Sequence, residues 1–253
     1  MGRELAGWND PTRRLREVLE RNELVLYCQP VAALAGGGYP MAEILVRLRE
    51  EEAALAPPGE FLPVFEHFGM MPELDRWVVA ATLARLGQGS RIPRLSVNVS
   101  GQTLGDREFP AFVSERLRAG RVTPDALVLE IDESDVLQRP GMAEAFARAM
   151  KGAGCLVLID GFGRRAVSFA PLKTLRTDFL KVDGIITRNL LRSAVSLKKL
   201  KAILRVGDTL GIGIIAECVE EQDVLARLKA LGVRYAQGFG IMQPYPIEVL
   251  APR

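Results

Sequence analysis

Short apolar runs, each closed by a polar or turn-forming residue, alternate along this chain with longer stretches that carry a helical repeat. The first helical pattern opens at Pro11-Thr12 and continues to about Arg21, with Leu15, Val18 and Leu19 on one face. Leu24-Val25-Leu26-Tyr27-Cys28-Gln29-Pro30 then reads as a strand stopped by proline. Gly36-Gly37-Gly38 reads as a turn, and residues 40–48 as a second strand. Further strands are predicted over 94–99, 126–131, 155–159, 179–182, 213–216 and 235–238. Helices are predicted over 75–86, 109–119, 142–151, 191–210 and 222–231. Residues 1–10 lack periodicity, and 1–11 read as an N-terminal arm, leaving a single domain over 12–253. The Ala56-Pro57-Pro58-Gly59 run reads as a loop inside that domain.

Short apolar strands that alternate with helices imply an α/β protein with a largely parallel sheet buried on both faces. The number of strands favours closure into a modified (β/α)8, TIM-like barrel, and 253 residues suit one such barrel. The Gly-rich link between the first two strands is too short for a crossover, so the first strand is expected to run antiparallel to its neighbour.

Composition narrows the function classes. Apolar residues make up 48% and charged residues 25%, enough to bury a core without disulfides or a structural metal. With 33 basic and 31 acidic residues the net charge is +2, which argues against a general DNA- or RNA-coating protein and leaves room for a local anion pocket. Cys28, Cys155 and Cys218 sit in separate apolar runs and read as reduced, buried thiols of a cytoplasmic protein. His67 is the single histidine, so a histidine triad or a His-rich metal site is not expected. It reads as a surface or capping group, Trp77 as core, and Lys198, Lys199 and Lys201 as a solvated helix face. The N-terminus, with acidic Glu4, does not read as a signal peptide, and no run approaches the roughly 18 apolar residues of a membrane span.

The informative pattern lies at the strand ends. Glu43 interrupts an apolar strand, Asn98 follows Leu95-Ser96-Val97, Glu130 follows Leu127-Val128-Leu129, and Asp160 follows Leu156-Val157-Leu158-Ile159. Lys181 and Asp183 close Phe179-Leu180, Glu217 follows Ile214-Ile215-Ala216, and Gln237 closes another short run. Any one of these acids has an ordinary role as a helix cap or turn former. Together they would converge on one rim, because a parallel barrel delivers its strand C-termini to the same face. Crowded carboxylates repel unless a cation neutralises them, and hard oxygen donors of this kind suit Mg²⁺ or Mn²⁺ rather than zinc.

The same residues resemble a known family. Tyr27-Cys28-Gln29-Pro30-Val31, Ala42-Glu43-Ile44-Leu45-Val46-Arg47 and Ser96-Val97-Asn98-Val99-Ser100 are similar to successive motifs of EAL domains. So are Leu129-Glu130-Ile131-Asp132-Glu133-Ser134, Asp160-Gly161-Phe162-Gly163, Leu180-Lys181-Val182-Asp183, Ala216-Glu217-Cys218-Val219-Glu220, Gln237-Gly238-Phe239 and Pro244. Each motif is short, but their order over about residues 12 to 250 is specific. The resemblance implies a barrel with an antiparallel first strand and hydrolysis of one phosphodiester bond of cyclic di-GMP to linear pGpG. It implies that Glu43, Asn98, Glu130 and Asp160 hold a divalent metal, and that Glu43, Lys181 and Glu217 serve catalysis. Gln29, Arg47, Asp183, Gln237 and Pro244 would contact the nucleotide, and Glu133 and Glu220 would support the catalytic loop. Cyclic di-GMP, a homodimer partner and an adjoining sensory or regulatory protein are the partners it implies.

Ile44 replaces the alanine of the family's naming motif and Cys218 the glycine of its Ala-Glu-Gly-Val-Glu, and the main departure lies in one loop. Gly161 stands where the second aspartate of Asp-Asp-Phe-Gly would be, which removes a ligand of a second metal and leaves one metal site expected. The Thr-Gly-Tyr-Ser-Ser that follows in the family is here Arg164-Arg165-Ala166-Val167-Ser168, and arginine lacks the backbone freedom of the family's glycine. Two such arginines can reach a phosphate, pair with carboxylates or point into water. Three readings stay open: a degenerate domain acting as a cyclic di-GMP receptor, a working phosphodiesterase with a modified loop, and an interaction scaffold.

Overall fold

The computed structural model describes residues 10–49, 55–56, 58–165 and 167–251. The expected arm therefore lies outside the described residues except for Asp10 and Pro11, and Pro11 already belongs to helix α1 (Pro11–Glu20), whose first turn Asp10 caps. Strands β1 (Leu24–Ala33) and β2 (Met41–Arg49) form the predicted hairpin, with left-handed glycines at 36, 37 and 38 in the link. The chain continues through β3 (Leu55–Ala56), α2 (Pro58–His67), α3 (Met71–Gly87), β4 (Leu95–Val99), α4 (Phe109–Gly120), β5 (Leu127–Asp132), α5 (Glu133–Gln138) and α6 (Pro140–Gly152). It ends with β6 (Leu156–Phe162), α7 (Ala170–Leu175), β7 (Phe179–Val182), α8 (Gly184–Arg188), α9 (Ala194–Leu210), β8 (Gly213–Ala216), α10 (Gln222–Ala230), β9 (Tyr235–Ala236) and β10 (Tyr245–Pro246).

Strands β2, β4, β5, β6, β7, β8 and β9 pair in parallel, and β1 closes the ring by pairing antiparallel with both β2 and β9. The two-residue strands β3 and β10 lie outside this ring, on β2 and β1. The barrel with its antiparallel first strand is thus as the sequence predicts. Of the predicted loop, Pro57 lies outside the described residues, and Pro58 and Gly59 instead open α2, because a proline at the first helical turn loses no hydrogen bond.

Two cores hold the barrel. The larger lies between strands and helices and includes Leu129, Ile131, Phe146 and Met150, all buried. The smaller joins Val31, Met41, Val128, Leu158 and Ile215, with Leu156, Phe179 and Tyr235 packed against it. Side chains two apart on a strand share a face. Stepping two residues from this second core reaches Gln29, Glu43, Glu130, Asp160, Lys181, Glu217 and Gln237 in turn. The hydrophobic plug and the polar cluster are therefore successive layers of one barrel interior.

Candidate active site

Strand register sets the cluster. Gln29 on β1 is paired with Glu43 on β2, and Asn98 on β4 with Glu130 on β5. Lys181 rises from β7 into the middle and is buried. Its Nζ donates to Glu130 Oε2 at 2.6 Å and to Glu43 Oε2 at 2.9 Å, with Asp160 Oδ1 at 3.8 Å. Asn98 Nδ2 donates to Glu43 Oε1 at 3.0 Å, and Gln237 Nε2 to Glu43 Oε2 at 2.9 Å.

One lysine faces three carboxylates, and the charges are unevenly served. Burial works to raise Glu43, but the Lys181 ammonium and the bonds from Lys181, Asn98 and Gln237 hold it below the usual carboxylate range. Burial pushes Glu130 up to about 8, Lys181 opposes the rise, and the charges of Glu43 and Asp160 add to it. Asp160 is raised by burial and by Glu43 against the pull of Lys181. Burial opposes the charge on Lys181, yet the surrounding carboxylates hold its pKa well above the ordinary value. Glu130 Oε1 and Asp160 Oδ1 are buried without a hydrogen-bond partner. Two orphaned carboxylate oxygens beside a partly neutralised acidic cluster fit a hard divalent cation. Among the described residues no three acidic, histidine or cysteine side chains close into a metal cage, because the ammonium stands between these acids.

The other predicted residues fall around this cluster. Glu217 follows β8, accepts from Gly184 N at 2.6 Å, and is pushed up to about 7 by burial and then by Asp160. Gln29 Nε2 donates to the Met242 carbonyl at 3.0 Å, two residues before Pro244. Arg47, farther along β2, donates to the Val46 carbonyl and lies 5.9 Å from the Tyr27 ring centroid. Beside Asn98 and Asp132 opens an apolar cleft of about 330 Å³, lined by Leu45, Met71 and Val99 among others. Glu133 accepts with both oxygens from Gly163 N, at 3.1 and 3.2 Å, and so holds the loop after β6. Glu220 is exposed and its side chain makes no hydrogen bond or ion pair among the described residues.

Comparison with known proteins places this geometry. The EAL domain family model matches residues 12–244. The chain belongs to the EAL domain family. It is 31% identical over 92% of its length to the cyclic di-GMP phosphodiesterase PdeF of Escherichia coli K12, and 30% identical over 92% to the cyclic di-GMP phosphodiesterase PdeB of Shewanella oneidensis MR-1. These alignments take in 32% and 28% of the two relatives, so the chain spans about a third of their length. Among solved structures it superposes on the PaMucR phosphodiesterase in complex with c-di-GMP, with TM-score 0.87 and 28% identity over 95% of this chain and 99% of that one. The FimX EAL domain from Pseudomonas aeruginosa bound to c-di-GMP matches with TM-score 0.86 and 29% identity, covering 93% of this chain and 96% of that one.

Against the EAL pattern, the main difference lies at the end of β6 and in the loop that follows it. Gly161 is left-handed, with φ +65°, and a Cβ placed on it would lie 2.5 Å from Arg164 Nη2 and 3.5 Å from Asp132 Oδ2. The Arg164 guanidinium thus fills the space in which a side chain at 161 would begin. It is held there by Asp183 Oδ2, 2.7 Å from Nε, and by Asp132 Oδ2, 3.3 Å from Nη1. Asp183 also caps α8 through Ile185 N at 2.8 Å. Of the open possibilities for the two arginines, Arg164 pairs with carboxylates, whereas Arg165 is exposed and keeps a φ outside the left-handed region.

Lys199 corrects the solvated-face reading of its cluster: its ammonium donates to the Gly163 and Arg165 carbonyls at 3.1 and 2.8 Å. His67 is exposed at the end of α2, and Trp77 packs partly against the core, as expected. Sequence reasoning gave no role to Asp132, which lies beside the conspicuous Glu130, nor to Asp75. Buried Asp75 Oδ2 accepts from Thr103 Oγ1 at 2.6 Å, Ser100 Oγ at 2.8 Å and Ser100 N at 2.9 Å, anchoring the turn after β4. Among the described residues no helix is long and apolar enough to cross a membrane.

Proposed function

We propose that this EAL domain, extending over residues 12–253, recognises cyclic di-GMP and hydrolyses it slowly or not at all, acting as a nucleotide receptor or regulatory module in cytoplasmic second-messenger signalling. The observation that carries the reading is the Arg164 guanidinium, paired with Asp183 and Asp132, in the space beside Gly161. A carboxylate at 161 would add a ligand for a second metal; a guanidinium brings positive charge instead and ties up Asp183. Glu43, Asn98, Glu130 and Asp160 would hold one Mg²⁺ or Mn²⁺, with the Asn98 amide turning its oxygen inward from its present bond to Glu43. A divalent ion supplies Lewis acidity toward a phosphoryl oxygen and lowers the pKa of bound water. Lys181 would neutralise the acids, and Glu217, pushed up to about 7 by burial, would take up or release a proton at the pocket wall. Gln29, Arg47, Asp183, Gln237 and Pro244 would frame the nucleotide, with Arg47 toward a phosphate. Glu133 would support the loop through Gly163 N, whereas exposed Glu220 would act only through a homodimer contact or an adjoining regulatory domain.

A second reading, a working phosphodiesterase, is favoured by the retained set of Glu43, Glu130, Asp160 and Lys181 and by relatives named cyclic di-GMP phosphodiesterases. Calorimetric titration with cyclic di-GMP tests recognition itself. The receptor and enzyme readings both require saturable binding that Arg47→Ala weakens. Absence of binding with and without Mn²⁺ leaves only the interaction scaffold.

A further inference from the structure

The opposite end of the barrel carries a second concentration of charge. Beneath the hydrophobic plug, at the N-terminal ends of β6 to β9, lies a cavity of about 600 Å³. Five cations line it, Arg94, Lys151, Lys173, Arg176 and Arg234, against one carboxylate, Asp178. Asp178 is spent: its oxygens lie 2.6 and 2.7 Å from Lys151 Nζ, and one also accepts from Val157 N at 2.9 Å. Arg94 and Arg234 meet Asp125 and Asp208 only through exposed pairs, which contribute little in water. Lys173 and Arg176 have no ion-pair partner among the described residues, and Arg94 Nε is buried without a hydrogen-bond partner. A chain whose net charge is only +2 thus gathers five cations against one lining carboxylate in one concave place, with Lys173 and Arg176 outside any ion pair among the described residues.

Two further features separate this cavity from a solvated basic surface. Its floor is aromatic: the Phe179 and Tyr235 rings lie 6.0 Å apart, edge to face at 70°, at the base of the inner plug. Gly213 lies between them, and a Cβ there would come within 2.5 Å of Phe179 and 3.2 Å of Tyr235. The cavity also presents Arg176 from a left-handed residue, with φ 47°, at the end of α7. Glycine takes that conformation freely and arginine does not, so the local backbone alone gives no reason for arginine here. A neighbouring cavity of about 690 Å³ shares Lys151, Lys173 and Arg176, and its carboxylate, Glu144, is already paired with Arg148.

We propose that this lower cavity is a second ligand site, for a nucleoside phosphate whose phosphates lie on Lys173 and Arg176 and whose base lies against Phe179 and Tyr235. The volume falls in the range of about 300–1,000 Å³ usual for small-molecule sites. Cations beside an aromatic floor match the anionic and planar halves of a nucleotide. The site is independent of the carboxylate cluster at the other rim, from which the hydrophobic plug separates it.

The test is calorimetric titration of the full chain with ATP in metal-free buffer, with tripolyphosphate and adenosine as separate probes. Saturable one-to-one binding of ATP is expected, tighter than either probe alone and unchanged by saturating cyclic di-GMP. Arg176→Gly and Lys173→Glu should each weaken it roughly tenfold or more. Arg176→Gly should do so with no loss of melting temperature, since glycine suits the backbone there, and this separates binding from folding. Absence of saturable ATP binding, binding indifferent to both substitutions, displacement by cyclic di-GMP, or tripolyphosphate binding as tightly as ATP would each overturn the proposal.

Discussion

The Lys181 ammonium lies 2.6 Å from Glu130 Oε2, both groups buried, on strands separated only by β6. This pair, extended to Glu43, holds an acidic cluster together when no metal neutralises it. Lys181→Met should therefore leave buried acids unpaired and lower unfolding free energy by about 3–5 kcal/mol in metal-free buffer. Denaturant melts at neutral pH measure this. Added Mn²⁺ should restore more stability to the variant than it adds to the parent, because the competing ammonium is gone. A loss below about 1 kcal/mol would show that the acids take up protons instead.

Glu133 braces the loop that bears Arg164, and its partner is a single buried amide, Gly163 N. Glu133→Ala leaves that donor unsatisfied, at a cost of about 1–3 kcal/mol. Lys199 still holds the Gly163 and Arg165 carbonyls, so the loop should loosen locally rather than release. Hydrogen exchange should show faster exchange across residues 161–165, by roughly tenfold per 1.4 kcal/mol lost, with the strands unaffected.

Asp75 gives a pH dependence remote from the acidic cluster. Burial pushes it up to about 6, against the bonds from Thr103 and Ser100 that favour its charged form. The folded chain thus holds a proton on Asp75 that the unfolded chain has lost. The associated stability is fully present below the ordinary carboxylate range and is lost as pH rises through about 6. Asp75→Asn removes this dependence while keeping an acceptor oxygen. Relative to the parent, the variant should gain about 2–3 kcal/mol between pH 4 and pH 7, read from denaturant melts at each pH. Parallel pH profiles would show that Asp75 is ionised throughout.

The sequence carries the barrel because strand periodicity repeats with little interference, and β7 and β8 fall within the predicted bounds. It also carries most of the polar layer, since Glu43, Glu130, Asp160 and Lys181 each interrupt or close an apolar run. Short elements were illegible: α5 and α7 have six residues and α8 has five, too few to display a repeat. Arg164 is visible as a departure, but its pairing with Asp183, nineteen positions away at the start of α8, depends on the tertiary fold. Lys199 looked like part of a solvated face because its carbonyl partners leave no pattern in sequence. Cys218 stands where the EAL pattern has glycine; its backbone is left-handed at φ 55°, which accounts for the family's glycine and leaves the cysteine without a structural explanation.

The most direct test of the loop's role is the rate of cyclic di-GMP turnover with excess Mn²⁺, resolved by chromatography, for the parent and the Gly161→Asp/Arg164→Thr double variant. The substitutions restore a carboxylate at 161 and remove the guanidinium that fills its space. Accelerated pGpG formation is expected in the double variant, on the order of 10²–10³-fold, abolished by Glu43→Ala. Parent turnover as fast as that of the double variant would contradict this expectation.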